Sequence, residues 1–149
     1  MLSIDRELKA IVTRLQELRI PYALCGGLAM AVHGYPRATL DIDLLSLRDS
    51  TQDISTAART LGYTLTAAPM TFADGDVRIF RISKLSPEDE DVLPLDILSL
   101  SPAIEAMLTT EETEWEGVQL CVVDARSLIC LKRLRNNAQD LADIERLTQ

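Results

Sequence analysis

The sequence has few of the residues that build the commonest metal, redox and nucleotide sites. Its single histidine, His33, excludes two-histidine zinc motifs such as H-E-x-x-H and finger-type Cys/His sites. Three cysteines lie in apolar stretches without C-x-x-C spacing, so we predict buried thiols in a reducing compartment for Cys25, Cys121 and Cys130. Neither G-x-G-x-x-G nor G-x-x-x-x-G-K-[ST] occurs, which leaves dinucleotide and P-loop nucleotide sites without support.

Long apolar runs and an excess of positive charge are also missing. No run reaches the ~18 apolar residues that span a bilayer, and the N-terminal stretch has no signal-peptide core, so we expect a cytoplasmic protein without a membrane partner. The formal charge of −8 argues against a broad nucleic-acid-binding surface, although a small basic patch is compatible with it. A chain of 149 residues, 47% of them apolar, can bury one sizeable core, so a single domain over 1–149 is predicted.

Hydrophobic periodicity predicts an α/β domain with a mixed sheet. Helices are predicted at 4–19, 28–32, 50–61, 102–109, 127–135 and 138–147, and strands at 22–25, 39–45, 63–67, 77–83, 93–98 and 118–123. Asp74-Gly75 is typical of a hairpin turn between the third and fourth predicted strands, and the charge run at 87–91 is typical of a solvated loop. Asn137, with Asp140 three residues later, predicts the cap of the last helix.

The stretch from Leu24 to Leu45 joins two devices that point to chemistry. The first is a short strand followed by Gly26-Gly27 and a helix. Two glycines let the backbone turn tightly and approach a ligand, and free N–H groups at the start of a helix favour an anion. A plain strand-to-helix turn explains the same pair when it is taken alone.

The second device is Asp41-Ile42-Asp43 inside an apolar strand. Because side chains alternate across a strand, both acids share one face while Leu40, Ile42 and Leu44 are expected to point into the core. Two carboxylates on one face repel each other unless a cation lies between them, and oxygen ligands are what Mg²⁺ prefers. A wet strand end whose acids face solvent is the alternative. The spacing from Gly27 to Asp41 allows one helix and a turn, so the two devices are expected side by side, with Mg²⁺ linking a triphosphate to the acids.

Here the sequence resembles the nucleotidyltransferase-fold superfamily, whose pattern is a GG or GS turn, a helix, D-h-D and a third carboxylate on a later strand. HGYPRATLDIDLL looks like the branch of AbiEii-type nucleotidyltransferase toxins and their short relatives, and 128–147 is similar to that branch's K…KD-x-x-D ending, with Gln139 where a basic residue is usual. The resemblance implies a polymerase-beta-like fold with a mixed sheet flanked by helices. It also implies Mg²⁺- or Mn²⁺-dependent transfer of a nucleoside monophosphate from an NTP.

The resemblance calls for a third acid on a strand adjacent to the first two. We assign Asp96, which apolar residues flank on both sides, and prefer it to Asp74 and Asp76. In a two-metal scheme Asp41 and Asp43 hold the ion that bridges the triphosphate, while Asp43 and Asp96 hold or imitate the second.

The resemblance also suggests which residues bind the nucleotide. Gly26, Gly27, Arg37, Thr39 and Lys132 are the predicted nucleotide-binding residues. Arg37 either forks onto phosphate or pairs with Asp41 or Asp43, and Lys132 either meets phosphate or is a solvated helix charge.

For four further residues near these motifs we favour a structural role over a functional one. His33 is expected to pack or cap, and Asp140 fits a helix first turn better than a catalytic role. Arg133 and Arg135, with Lys132, form a basic cluster that could meet a nucleic-acid backbone, although a solvated helix face is favoured.

The sequence leaves open several classes of acceptor and also a role without catalysis. The branch implies tRNA ends or protein hydroxyls as acceptors, with a cognate toxin–antitoxin partner. Antibiotic adenylyltransferases share the G-G…R-x-T…D-h-D layout, and an acidic surface suits a cationic aminoglycoside. A non-catalytic nucleotide-binding or antitoxin partner is the remaining possibility.

Overall fold

The computed structural model describes residues 2–149. Its helices are α1 (Ile4–Glu17), α2 (Gly26–Val32), α3 (Thr51–Arg59), α4 (Pro102–Glu105), α5 (Ala125–Arg135) and α6 (Ala138–Leu147). Its strands are β1 (Tyr22–Cys25), β2 (Ile42–Ser46), β3 (Tyr63–Thr66), β4 (Met70–Phe72), β5 (Val77–Leu85), β6 (Val92–Leu100), β7 (Thr110–Trp115) and β8 (Val118–Val123). Among these helices, none is long and apolar enough to cross a membrane.

Over residues 2–149 the strands form one mixed sheet in the order β3-β5-β6-β2-β1-β8-β7, with β4 pairing with β5. The central strand β2 runs antiparallel to β1 and parallel to β6, and β1 runs parallel to β8. Strands β5 and β6 pair antiparallel along their full length. This register brings two acids together, because it places Asp43 opposite Asp96, with Cys25 opposite Asp43 on the other side.

Helices flank the sheet and close a contiguous apolar core, which confirms the predicted α/β class. Helices α1 and α3 pack on each other and on β8 and β6, while α2 contacts β2 and α5, and α5 contacts α6. The apolar stripe of α1 is buried, as its spacing predicts, at Leu8, Ile11, Val12 and Leu15. Of the three free thiols, Cys25 is buried as predicted, whereas Cys121 and Cys130 are only partly buried.

Two short strands escape the sequence prediction. Strand β4 supplies only three residues, and β7 carries three glutamates, which are depleted in strands. Both form because a neighbouring strand offers its edge: β4 pairs with β5, and β7 pairs with β8 along six residues. The Asp74-Gly75 turn therefore joins β4 to β5 rather than β3 to β5, in a 3₁₀ turn with positive φ at Asp74 (53°) and Gly75 (92°).

The start of β2 also differs from the prediction. The strand begins at Ile42 rather than at Thr39, because the chain bends at residues 40–41 before it enters the sheet. Ile42 and Leu44 are fully buried as expected, but Leu40 is 85% exposed, so the expectation that it points into the core is wrong. Asp41 consequently lies on the bend, one residue before the strand.

The C-terminal helices begin at the predicted residues or close to them. The Asn137 side chain accepts a hydrogen bond from the Asp140 N–H, and the Asp140 carboxylate accepts one from the Asn137 N–H, which confirms the predicted cap. Asp124 caps α5 by accepting from the Ser127 N–H at 2.8 Å. Residues 87–91 form the turn between β5 and β6, as predicted.

Candidate active site

Three carboxylates converge at the centre of the sheet. Asp43 lies in β2 beside Asp96 of β6, directly paired in the parallel register, and Asp41 precedes β2. One oxygen from each carboxylate lies within 4.8 Å of the others. Asp74 and Asp76, the rival third acids, lie in and after the β4–β5 turn instead. The structure thus brings together the three acids that the sequence singled out.

The Gly26-Gly27 turn lies directly against these acids. Gly26 has a φ of +69°, and a Cβ built on it would lie 2.0 Å from Asp43 Oδ2. A Cβ on Gly27 would lie 2.8 Å from Thr39 Oγ1, and the Thr39 hydroxyl in turn donates to the Asp41 carbonyl at 3.3 Å. The two glycines therefore have a packing role of their own, since they leave room for Asp43 and for the bend that presents Asp41.

Burial and mutual repulsion act on the ionisation of the acids. Burial, followed by the neighbouring Asp41 and Asp96 charges, raises the pKa of Asp43 to about 8. Burial and then Asp96 also raise the pKa of Asp41. A group of carboxylates that resists ionisation is one that a divalent cation stabilises, because the cation supplies the missing opposite charge. Three carboxylate donors fit Mg²⁺ or Mn²⁺, both of which favour oxygen ligands.

Arg81 is the residue of this site that sequence reasoning missed. It lies opposite Asp96 in the β5–β6 register. Its Nε donates to Asp96 Oδ1 at 2.7 Å, and its Nη2 donates to Asp96 Oδ2 at 2.9 Å and to Asp41 Oδ2 at 3.2 Å. The sequence did hold a hint of this role, because Arg81 falls on the strand face that Val77 and Ile79 bury. Its partners, however, can be identified only from the register of β5 and β6.

Arg37 and Lys132 both bind a different carboxylate, Asp143 of α6. Arg37 donates to Asp143 through Nε at 3.1 Å and Nη2 at 2.9 Å, and Lys132 Nζ donates to the same side chain at 2.8 Å. Asp143 is fully buried and Lys132 is 3% exposed, so the solvated reading of Lys132 is wrong. The alternative in which Arg37 pairs with Asp41 or Asp43 is wrong, because α6 carries Asp143 up to Arg37.

The predicted basic cluster on α5 is divided among separate partners. Arg135 forms a bidentate pair with the buried Asp140, with its Nε and Nη2 at 2.8 and 2.7 Å from the carboxylate, whereas Arg133 is exposed. Asp140 thus serves as cap and ion-pair partner. His33 ends α2 and its Nε2 lies 2.8 Å from the Val123 carbonyl, which matches the packing and capping role expected of it.

A cleft opens beside Asp43 between the sheet and α5. The room in it for water-sized groups is about 40 Å³, and the polar side chains that line it are Asp43, Lys132, Arg135 and Asp140. Its walls are otherwise apolar and come from both elements, namely Phe72, Val77, Ile79 and Leu98 of the sheet and Leu128, Leu131 and Leu134 of α5. A mostly apolar cleft with a few convergent polar groups is the usual form of a small-ligand site.

Comparison with known proteins gives similarity in fold alone. No protein-family model and no curated protein matches the sequence. A candidate nucleotidyltransferase of Thermotoga maritima has a TM-score of 0.57 at 14% identity, covering 98% of this chain and 90% of its own. For JHP933 of Helicobacter pylori the TM-score is 0.59 at 17% identity, with 99% and 67% covered.

The third structure is an antibiotic-resistance factor, ANT(2″)-Ia, in complex with adenylyl-2″-tobramycin. Its TM-score is 0.62 at 13% identity, and the match covers 94% of this chain and 84% of the other. The chain therefore has the fold found in nucleotidyltransferases, as the sequence resemblance implied. None of these three structures is described as an AbiEii-type protein, so membership of that branch stays a prediction.

Proposed function

We propose that this protein is a nucleotidyltransferase that moves a nucleoside monophosphate from an NTP to an acceptor hydroxyl. The observation that carries the proposal is the convergence of Asp41, Asp43 and Asp96 beside the Gly26-Gly27 turn, in a chain with this fold. In the reaction, the acceptor oxygen bonds to the α-phosphorus while the bond from that phosphorus to the bridging oxygen breaks. Pyrophosphate leaves, and the hydroxyl proton passes to solvent.

Each acid has a role in this proposal. Asp41 and Asp43 would hold a divalent ion, and Asp96 would complete its ligand set on the side that faces β5. Such an ion supplies charge neutralisation for the phosphates and acidifies the acceptor hydroxyl. The protein's own contribution is to keep the three carboxylates converged, which the β2–β6 pairing and the space at Gly26 accomplish.

The five proposed nucleotide-binding residues are not equally well supported. Gly26, Gly27 and Thr39 border the acids, where a triphosphate would lie. Arg37 and Lys132 already have Asp143 as a partner, so we propose that they hold α6 beside the site and add positive potential. Direct phosphate binding by either residue remains a prediction.

The cleft favours a small-molecule acceptor. Asp43 lines it, and its apolar walls suit a compact organic molecule better than a polyanionic backbone, which a chain of net charge −8 repels. The ANT(2″)-Ia complex with an adenylylated small molecule is consistent with this choice. Transfer to tRNA or to a protein, a toxin–antitoxin partner, and a silent nucleotide-binding role are the alternatives that the same experiment separates.

The test is label transfer from each α-³²P-labelled NTP, with Mg²⁺ or Mn²⁺, to three acceptor pools: total tRNA, cell protein and a panel of aminoglycosides and lincosamides. We expect label in a small-molecule product. Asp43→Asn should reduce transfer by at least about a hundredfold. The matched control is Asp53→Asn, which makes the same change on the exposed face of α3 and should leave transfer unchanged.

The outcomes separate the proposals. Label in tRNA or protein would retain the nucleotidyltransferase and overturn the small-molecule acceptor. No transfer from any NTP to any pool, together with weak NTP binding, would overturn the enzyme in favour of a binding module. Equal loss in the Asp43 and Asp53 variants would show that the proposed site is not where transfer takes place.

A further inference from the structure

Arg81 occupies the carboxylate oxygens that a divalent ion would need. Both oxygens of Asp96 accept from its guanidinium, and Nη2 bridges Asp96 Oδ2 and Asp41 Oδ2 at 2.9 and 3.2 Å. A cation bound by all three acids would contact at least one of these oxygens. Within residues 2–149, Arg81 is the one cationic side chain with a hydrogen bond to the acid triad.

The other nearby cations are held elsewhere. Arg135 forms its bidentate pair with Asp140, and Lys132 and Arg37 donate to Asp143. The positive charge placed among the acids therefore comes from β5. The Arg81 side chain is 36% exposed, so it contacts solvent as well as the acids.

We propose that Arg81 is the resident counter-ion of the metal-free site and that a divalent ion binds by displacing it from Asp41 and Asp96. This inference rests on the metal site of the proposed function. Arg81 relieves the repulsion among the acids while no ion is bound, and it weakens the site for an ion that arrives alone. An ion that arrives with an NTP brings phosphates, and these offer the released guanidinium a new anionic partner.

The test measures Mn²⁺ binding to metal-free protein without nucleotide, by electron paramagnetic resonance of the free ion. Arg81→Gln should bind Mn²⁺ on the order of tenfold more tightly than the wild type, since one charge-assisted competitor is gone. Arg78→Gln is the matched control, because it removes the same charge from the same strand at an exposed position, where Arg78 lies over the Phe80 ring. Its Mn²⁺ affinity should equal that of the wild type.

If Arg81 only held Asp96 in place, its loss would disorder that ligand and Mn²⁺ binding would not become tighter. Unchanged or weaker Mn²⁺ binding in Arg81→Gln would therefore overturn the proposal, and so would an equal gain in Arg78→Gln. Thermal unfolding with and without Mn²⁺ checks folding, and Arg81→Lys, which keeps the charge but not the fork, should fall between the two. Tighter Mn²⁺ binding without any nucleotide transfer would retain this inference while the proposed function failed.

Discussion

At the scale of single residues, Asp43 has the largest raised pKa among the three acids of the site. Its pKa is raised from the ordinary 3.8 to about 8 by burial and then by Asp41 and Asp96. Between these two values the folded chain keeps a proton that the unfolded chain has lost. The folded state therefore binds more protons, and the free energy of unfolding of the metal-free protein should fall as pH rises from about 4 to 8.

Asp43→Asn should remove the part of this pH dependence that comes from Asp43. In EDTA at pH 8, the variant should be more stable than the wild type by at least about 2 kcal/mol, whereas at pH 5 the gain should be much smaller. Urea unfolding followed by circular dichroism at the two pH values measures the difference. Asp53→Asn, on exposed α3, should show no such trend, and a gain independent of pH would contradict the assignment of the proton to Asp43.

Gly26 makes a second prediction at this scale. Gly26→Ala would place a Cβ 2.0 Å from Asp43 Oδ2 at a φ of +69°, so the acid must move. We expect a loss of about 2–4 kcal/mol and of Mn²⁺ binding, measured by urea unfolding and by paramagnetic resonance. Gly117→Ala has a similar φ of +83° with nothing within 4 Å of the new Cβ, and should cost about 1 kcal/mol. Equal costs for the two would show that close approach to Asp43 does not matter.

Sequence patterns supplied much of this residue-level picture, and geometry supplied the rest. The paired acids and the glycines stand close together in the chain, so local spacing predicts that they are neighbours. The partners of Arg81 and Arg37 could not be predicted in this way. Strand register places Asp96 beside Arg81, and helix packing places Asp143 beside Arg37. Neither contact can be recognised from the residues next to it in the sequence.

At the scale of elements, the junction of α5 and α6 is held by buried ions rather than by apolar contact alone. Asp143 accepts from Arg37, Lys132 and Gln139, and Asp140 accepts from Arg135. Neither carboxylate is exposed. Because a buried ion pair is costly to break from one side, each member depends on the others.

Asp143→Ala should therefore leave Lys132 buried without its closest partner. We expect a loss of about 3 kcal/mol in the free energy of unfolding, measured by urea denaturation, and faster amide hydrogen exchange in α6. Glu145→Ala, an exposed position on the same helix, should change stability by less than about 0.5 kcal/mol. A neutral Asp143→Ala would mean that solvent reaches Lys132 freely.

Element boundaries show where local sequence is sufficient. Helices with strong periodicity or a side-chain cap, such as α1 and α6, begin within a residue of the prediction, because their signals are local. Strands β4 and β7 lack such signals, since one is very short and the other is rich in glutamate. Their existence depends on the edges that β5 and β8 present, which only the assembled sheet provides.

At the scale of the whole molecule, the sheet ends in strands β3 and β7. Strand β7 carries Glu111, Glu112 and Glu114, which are exposed, and charge on an edge strand disfavours pairing with another copy. Periodicity alone could not predict the order of the strands, because the β2–β6 pairing joins segments that are distant in sequence; only the family resemblance placed Asp96 beside the first two acids.

Removing this charge should expose the edge. The double variant Glu112→Val, Glu114→Val should associate at micromolar concentrations, as measured by size-exclusion chromatography with light scattering. Glu88→Val with Glu145→Val makes the same change in net charge at exposed positions outside the sheet, and should leave the molecular mass unchanged. Association of both variants alike would assign the effect to net charge instead of to the strand edge.

The parallel pairing of β2 with β6 also has a kinetic consequence. Asp43 and Asp96 meet only after the chain between them has formed α3, β3, β4 and β5 and crossed back, so loop closure makes this contact late. During refolding from urea, helix content should return before the ability to capture Mn²⁺. The ion would then report the last stage of folding.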